Sequence, residues 1–379
     1  MRAMEPGQAN GMTMDAERLL NEAARTVDNG GGCAVATVAD LFLPAEARLN
    51  DRQRGTMIRL LTKLVQAIEQ DLRRRFINHV DGNIPDELVD MIASDQIEII
   101  SPLLFRSGLL EDTELVALLK RRTEEHRLVR TLRLKAVRDA GEAGAMPPAP
   151  LLDRLLESSE VRIAEAAMAL LIAESRRHDR FQEPLLARTD LPAEIQHRMV
   201  WWSAAAFREH LRRQASVEAA FIDRALVAAG NDALAAHDES EALESRALQL
   251  ARLLADCGKL DDELIVKALD DARPMLAIAG LSIRAGIDFV STWEMAMAPA
   301  RLTVLLRAIG MERASAISVL FALHQDGDAP DRLIDLAAAY EALEGRQAQN
   351  AIGPWKLDSF YRKAIAELAG GLGGRGSGR

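Results

Sequence analysis

The sequence predicts an all-α protein, built as an α-solenoid of repeated helical hairpins behind an amino-terminal helical block. Aromatic residues make up only 4% of the chain, which is instead full of the good helix formers Ala, Leu, Arg and Glu. Almost no run shows the period-two alternation or the β-branched clusters that are typical of strands. One helical pattern also recurs along the chain, as it does in repeat proteins.

The recurring pattern is clearest in residues 84–137, where an acid-headed amphipathic segment, a short polar break and a second apolar segment occur twice. The first round opens at Asp86 and the second at Asp112, and acids suit the positive end of a helix dipole. Downstream, the Asp-Glu-Leu-Ile of residues 262–265 aligns without a gap on the Asp-Glu-Leu-Val of residues 86–89. A hairpin reused in this way predicts a stacked helical array.

Two passages resemble known families. Residues 151–176, LLDRLLESSEVRIAEAAMALLIAESR, resemble a HEAT-type repeat in which Val161-Arg162 opens the second helix. Residues 49–134, with LNDRQRGTMIRLLTKLVQAIEQDLRRRF and IASDQIEIISPLLFRSGLLEDTEL, are similar to a bacterial helical-repeat family known only as a domain of unknown function, DUF2336, and the resemblance extends over most of residues 49–323. It implies a HEAT-like fold and no activity, since the family label carries no catalytic residues.

The chain divides into five predicted regions, and its clearest linker is the Gly-, Ala- and Pro-rich run GEAGAMPPAP. The regions are a disordered start at 1–12, an amino-terminal helical block with the first hairpins at 13–140, the linker at 141–150, the HEAT-like array with closing helices at 151–369, and a disordered glycine-rich tail at 370–379.

Helical periodicity and turn-forming breaks predict the helices within these regions. Before the linker they are 15–26, 33–43, 50–79, the two hairpins of 84–137, and a separate second helix at 120–138. The array pairs are 151–157 with 161–176, 181–188 with 191–213, 217–229 with 241–256, 261–269 with 274–287 and 291–309 with 314–323, and the closing helices are 331–343 and 357–368.

The longest predicted helix begins at Asn50 and ends at His79. Met57, Leu64 and Phe76 belong to an apolar stripe that recurs every three or four residues along it. That stripe must pack against another apolar surface. The candidates are the first hairpin of the same chain and the same helix of a second subunit in a homodimer.

Charge and cysteine content narrow the functional class. A formal charge of −10 argues against a dedicated nucleic-acid binder, because phosphate contacts need a concentrated basic surface.

Cys33 and Cys257 lie far apart and are predicted to be buried thiols of a reducing cytoplasm. The sequence has neither an apolar run of membrane-spanning length nor a signal peptide, so the prediction is a cytoplasmic protein with no membrane association.

No strong catalytic signature occurs, so we predict no catalytic residue, no cofactor and no metal site. The seven histidines show no i, i+4 pair of the kind that binds zinc on a helix. Acids are abundant, but nearly all stand at predicted helix starts or turns, where capping explains them.

Residues 194–213 carry the one candidate binding site. On a helical wheel Trp202 joins the apolar arc, whereas Trp201 falls on the other side with His197, Arg208 and Arg212. An aromatic ring beside guanidinium groups can stack on a ligand or hold a carboxylate or phosphate. The structural alternative is that a neighbouring hairpin simply covers Trp201.

These patterns favour a non-catalytic scaffold or regulatory protein that binds a protein partner on the concave face of its array. One alternative is a nucleic-acid-acting HEAT-like enzyme of the base-excision glycosylase type, which would stack bases on Trp201 and Trp293. The other is a sensor of a small anionic ligand, held by Trp201, Arg208 and Arg212.

Overall fold

The computed structural model describes residues 16–25, 51–80, 86–93, 98–143, 149–181, 183–214, 218–324, 330–362, 364–365 and 368. Within these residues the regular secondary structure is helical, apart from one isolated β-bridge between His178 and Pro184. The predicted all-α class is therefore confirmed. The predicted helix at 33–43 and the terminal regions 1–12 and 370–379 lie outside the described residues.

The described part of the chain contains seventeen α-helices with full bounds and four short 3-10 segments, at 109–111, 188–190, 239–241 and 353–356. Residues 359–362, 364–365 and 368, within the predicted closing helix 357–368, are helical as well. The α-helices are α1 Ala16–Arg25, α2 Asp51–Val80, α3 Asp86–Ala93, α4 Ser101–Ser107, α5 Thr113–Ala143, α6 Leu151–Leu156, α7 Val161–Ser175, α8 Ala193–Gln214, α9 Ala219–Ala235, α10 Leu243–Asp256, α11 Asp262–Asp270, α12 Pro274–Ala285, α13 Phe289–Ala296, α14 Pro299–Ala308, α15 Arg313–His324, α16 Pro330–Ala342 and α17 Gly345–Ile352.

Acidic residues cap several helices, as the acid-headed pattern predicts. Asp112 accepts a hydrogen bond from the Leu115 N–H at the start of α5 (3.0 Å), and Asp261 accepts one from the Leu264 N–H at the start of α11 (2.8 Å). Each carboxylate thereby satisfies a backbone donor that the helix itself leaves without an acceptor.

Several predicted helices differ from those of the structure. The predicted second hairpin, with its separate helix at 120–138, is one helix, because no Gly or Pro occurs in α5 before Gly141, and α5 continues into the predicted linker as far as Ala143. The predicted helix at 291–309 is two helices, because Pro299 removes a backbone donor there. The structure also has α17, which no predicted helix covers.

The predicted helix at 181–188 does not form. Pro184 has no N–H to donate, and the Asp179 carboxylate accepts hydrogen bonds from the backbone N–H groups of Phe181 (2.8 Å) and Glu183 (2.9 Å). The Leu185 N–H donates to the Arg177 carbonyl oxygen at 2.9 Å. These bonds satisfy the backbone in an extended turn, which leads into the 3-10 segment at 188–190.

The chain forms two compact units, each made of discontinuous segments. The first unit comprises Met1–Gly31, Thr131–Leu151 and Ala251–Arg379, and the second comprises Gly32–Arg130 and Leu152–Leu250. In the first unit each helix from α11 to α14 packs against the next, and α15 packs against both α14 and α16. In the part of the chain that the structure describes, no single helix is both long and apolar enough to cross a membrane.

The apolar stripe of α2 is buried inside the second unit. Leu64, Leu72 and Phe76 are fully enclosed, and α2 packs chiefly against α9 and α8 of the same chain. Phe76 meets Phe207 of α8 edge to face, with ring centroids 5.3 Å apart. The cover therefore comes from the same chain, but mainly from α8 and α9 and only to a smaller extent from the predicted first hairpin, α3 and α4. Dimerisation through the remaining surface of α2 stays a prediction.

A buried ionic cluster in the second unit forms around Arg177, the second residue after α7. Its guanidinium donates through Nε to Asp190 (2.9 Å), through Nη2 to Glu244 of α10 (2.8 Å), and through Nη1 to Glu125 of α5. Arg122 of α5 also donates to Glu125. Arg122 and Arg177 are each only 2% exposed, so both cations are removed from water, whereas the Glu244 side chain keeps 19% of its surface exposed.

The cluster contains two guanidinium groups and three carboxylates. Burial, followed by the charges of Glu244 and Asp190, raises the pKa of Glu125 well above the ordinary glutamate value of 4.5. The charge of Glu174 adds to this rise, and the nearby Arg121 charge opposes it. Burial and the neighbouring anions therefore disfavour the charged form of Glu125.

We expect Arg177→Met to lower the free energy of unfolding by about 3–5 kcal/mol, because it leaves buried carboxylates without their cation. The neighbouring Arg176→Met is the matched control. Arg176 pairs with Glu241 at the surface (2.9 Å), and loss of such a pair costs under about 1 kcal/mol. Urea titrations of both variants would measure the difference, and equal losses would contradict a structural role for the cluster.

Glu125→Gln should change how stability depends on pH. Because the folded protein binds the Glu125 proton more tightly than the unfolded chain does, wild-type stability should fall, through this group, as pH rises above about 4.5. The variant lacks this titration, so its stability should rise relative to that of the wild type as the pH is raised from 4.5 toward 7. Urea titrations across that range test this, and a constant difference between the two proteins would refute it.

Candidate partner-binding surface on α8

Helix α8 places His197, Trp201, Arg208 and Arg212 along one side, at intervals of four, seven and four residues. At about 1.5 Å per residue they extend over roughly 22 Å of helix. The four predicted residues therefore form a surface stripe, which we call the α8 stripe, and they do not converge on a single pocket.

Trp201 is half-buried and fixed on two sides. Its indole Nε1 donates a hydrogen bond to Nε2 of the exposed His197 at 3.0 Å, and the two rings meet edge to face with centroids 6.1 Å apart. The six-membered part of the indole lies on Gly230 of α9, where an added Cβ would stand only 2.9 Å from Cζ3 of the ring. The absence of a side chain at Gly230 is therefore what lets the ring pack there.

Arg208 is held by Asp223 of α9. The guanidinium binds both carboxylate oxygens, with Nη2 at 2.9 Å from Oδ2 and Nε donating to Oδ1. The hydrogen bond from Arg208 lowers the pKa of Asp223, and the charges of Arg208 and Arg212 act in the same direction. Because Arg208 is already paired, the exposed Arg212 is the cation of the α8 stripe that is best placed to meet a partner.

Trp202 is less buried than the sequence predicts. The structure leaves it half-buried, as it does Trp201, and both rings pack against the core of the second unit. The two faces of α8 thus differ less than the helical wheel predicts, because α9 covers part of the side that the wheel leaves open. Trp293 is only 4% exposed.

The acids near the α8 stripe are engaged in ion pairs. Asp223 holds Arg208, and Glu209 accepts from Arg213 at 3.0 Å. Among the described residues no group of three or more His, Cys, Asp or Glu side chains could hold a metal ion.

The prediction that Cys257 is buried is wrong, because this residue lies in the turn after α10 and is exposed. Cys33 lies outside the described residues.

Sequence reasoning did not identify the ionic cluster around Arg177. A local signal for Arg122 and Glu125 was present, because they continue the three- and four-residue spacing of the buried Leu115 and Leu118 on α5. A charged residue at an apolar position of a long helix indicates a buried ion pair. Nothing local identifies the partners, since Arg177 lies 52 residues from Glu125 and 67 from Glu244.

A comparison with known protein families matches residues 99–353 to DUF2336, described as an uncharacterised protein conserved in bacteria. This chain belongs to the DUF2336 family. The matched region contains α4 to α17, and with them the α8 stripe and the Arg177 cluster. No curated protein and no solved structure matches the chain. Membership in DUF2336 assigns no activity.

Gly230→Ala tests how Trp201 is held. An alanine normally stabilises a helix interior relative to glycine by up to about 1 kcal/mol. At position 230 the added methyl would displace the indole, so we expect a net loss of about 1–3 kcal/mol. Gly55→Ala in α2 is the control, because the nearest atom there, in the Arg59 side chain, is 3.8 Å away. Thermal melts should move in opposite directions, and a stabilised Gly230→Ala variant would contradict the packing.

Proposed function

We propose that this DUF2336 protein is a non-catalytic helical-repeat scaffold that binds a protein partner through the α8 stripe. The observation that carries the proposal is the state of Trp201, whose ring is immobilised by Gly230 and His197 and yet keeps part of its surface in solvent. A large aromatic side chain fixed in this way loses little conformational freedom when a partner covers it.

The composition of the α8 stripe suits a protein–protein contact. Trp and Arg are the residue types that most often carry the binding energy of interfaces, typically where neighbouring contacts exclude water. Arg212 would pair with an acidic group of the partner, while His197 and the Arg208–Asp223 pair would form the polar rim. The expected partner is therefore a protein that presents an apolar group beside a carboxylate.

The two alternative functions have less support. A glycosylase-type enzyme would use Trp201 and Trp293 to stack bases, and Trp293 is buried. A sensor of a small anion would use Arg208, whose guanidinium already binds both oxygens of Asp223. The buried Trp293 offers no free aromatic face for a base, and the paired Arg208 offers no free guanidinium for a small anion.

The wider architecture belongs to the same proposal. The successive packing of α11 to α14 in the first unit is what a row of hairpins would produce, and it supports a HEAT-like solenoid with a concave binding face. We propose further that the protein acts in the bacterial cytoplasm, with residues 141–150 as the boundary between the amino-terminal block and the array. A homodimer would have to use the exposed side of α2.

Affinity capture from the native bacterial cytoplasm tests the partner proposal. The wild type is compared with Trp201→Ala and Arg212→Glu, and with two controls at exposed positions, Phe181→Ala and Arg252→Glu. We expect one protein to be retained by the wild type and both controls, and to bind at least tenfold more weakly to both stripe variants, as loss of an interface anchor implies.

Thermal melts of the variants separate binding from folding. A partner retained equally by both stripe variants, or lost equally by the controls, would refute the proposed surface. Nucleic acid that co-purifies in a Trp201-dependent manner would replace the scaffold with the nucleic-acid alternative.

A further inference from the structure

A cavity of about 340 Å³ lies in the first unit between α5, α11 and α15. Its wall includes the apolar side chains of Val266, Ile317 and Phe321, and two charged residues, Lys135 of α5 and Asp270 of α11, also line it. The volume falls at the lower end of the range for small-molecule sites, which combine apolar walls with a few polar groups.

Lys135 is half-buried and Asp270 is exposed, and neither makes a hydrogen bond or an ion pair within the described part of the chain. The neighbouring charges are satisfied, since Lys267 pairs with Asp271 at 3.4 Å and Asp271 also accepts the Leu151 N–H. Lys135 and Asp270 make no direct ion pair with each other, although they line the same cavity. Partial desolvation raises the pKa of Asp270, while the nearby charges of Lys135 and Lys267 oppose that rise.

We propose that this cavity binds a free α-amino acid with an apolar side chain. Lys135 would bind its carboxylate and Asp270 its ammonium group, and its side chain would pack against Ile317 and Phe321. A ligand that carries both charges satisfies both protein groups at once.

The charge arrangement decides between ligand classes. A simple carboxylate would pair with Lys135 but would bring a second negative charge toward Asp270, and a simple amine would bring a second positive charge toward Lys135. Like charges brought close together repel and cost free energy, whereas charge-assisted hydrogen bonds on both sides stabilise a zwitterion. The apolar wall favours leucine or phenylalanine over a polar amino acid, because burial of apolar surface adds to the binding free energy.

This inference is independent of the partner proposal, since it uses no residue of α8 or α9. Isothermal titration calorimetry of the full chain with L-leucine and L-phenylalanine would test it. The comparison ligands are 3-phenylpropanoate, which lacks the ammonium group, and phenethylamine, which lacks the carboxylate. We expect one of the amino acids to bind at least tenfold more tightly than either comparison ligand does.

Variants locate the binding. Lys135→Met and Asp270→Asn should each weaken amino-acid binding at least tenfold, and Ser318→Phe, which places a ring in the cavity, should abolish it. Lys356→Met and Asp256→Asn, at exposed positions outside the cavity, are the matched controls and should bind as the wild type does. Circular dichroism confirms that each variant is folded.

Several results would overturn the proposal. These are failure of both amino acids to bind, equal binding of 3-phenylpropanoate, and binding that survives Lys135→Met and Asp270→Asn together. None of them would alter the capture experiment on the α8 stripe, so the two proposals fail separately.

Discussion

The second unit depends on one buried guanidinium, that of Arg177. Its three nitrogens reach α5, the 3-10 segment at 188–190 and α10, and Asp190 also accepts the Leu243 N–H at the start of α10 (3.1 Å). A planar guanidinium with donors in fixed directions sets both distance and orientation for the groups that it binds. Buried ion pairs add little net stability compared with a well-packed apolar core, but a misplaced partner leaves a charge without compensation. The cluster therefore selects one arrangement of these elements.

That arrangement leads to the candidate surface. The segment at 188–190 comes directly before α8, so the position of Asp190 fixes where α8 can begin. Further along the helix, Gly230 and Asp223 of α9 hold Trp201 and Arg208. The α8 stripe is thus held at its start by buried charges and along its side by packing and a surface ion pair. Rigid support of this kind keeps an exposed aromatic group in one geometry, which a binding site requires.

Much of the fold could be predicted because helices are determined by local patterns. The apolar spacing of α2 and the acids at Asp112 and Asp261 indicate helices and their starts without any knowledge of tertiary structure. One kind of error arose where helical periodicity continued past a residue that ends a helix, as at Pro299. Another arose where a side chain, such as that of Asp179, accepted the backbone hydrogen bonds that a helix would otherwise have made. The site was harder to predict. The burial of Trp201 depends on a glycine 29 residues away, and no periodicity within α8 can reveal it.

The close approach of Trp201 to Gly230 also constrains how the protein can evolve. With 2.9 Å between the ring and an added Cβ, the space at this point is fully used by one large and one absent side chain. A larger residue at position 230 fits without displacing a neighbour only when the residue at 201 is smaller, so a change at position 230 requires a change at position 201. In relatives of this chain, a side chain at the position of Gly230 should therefore accompany the loss of the tryptophan, and with it the loss of whatever the exposed part of the ring binds.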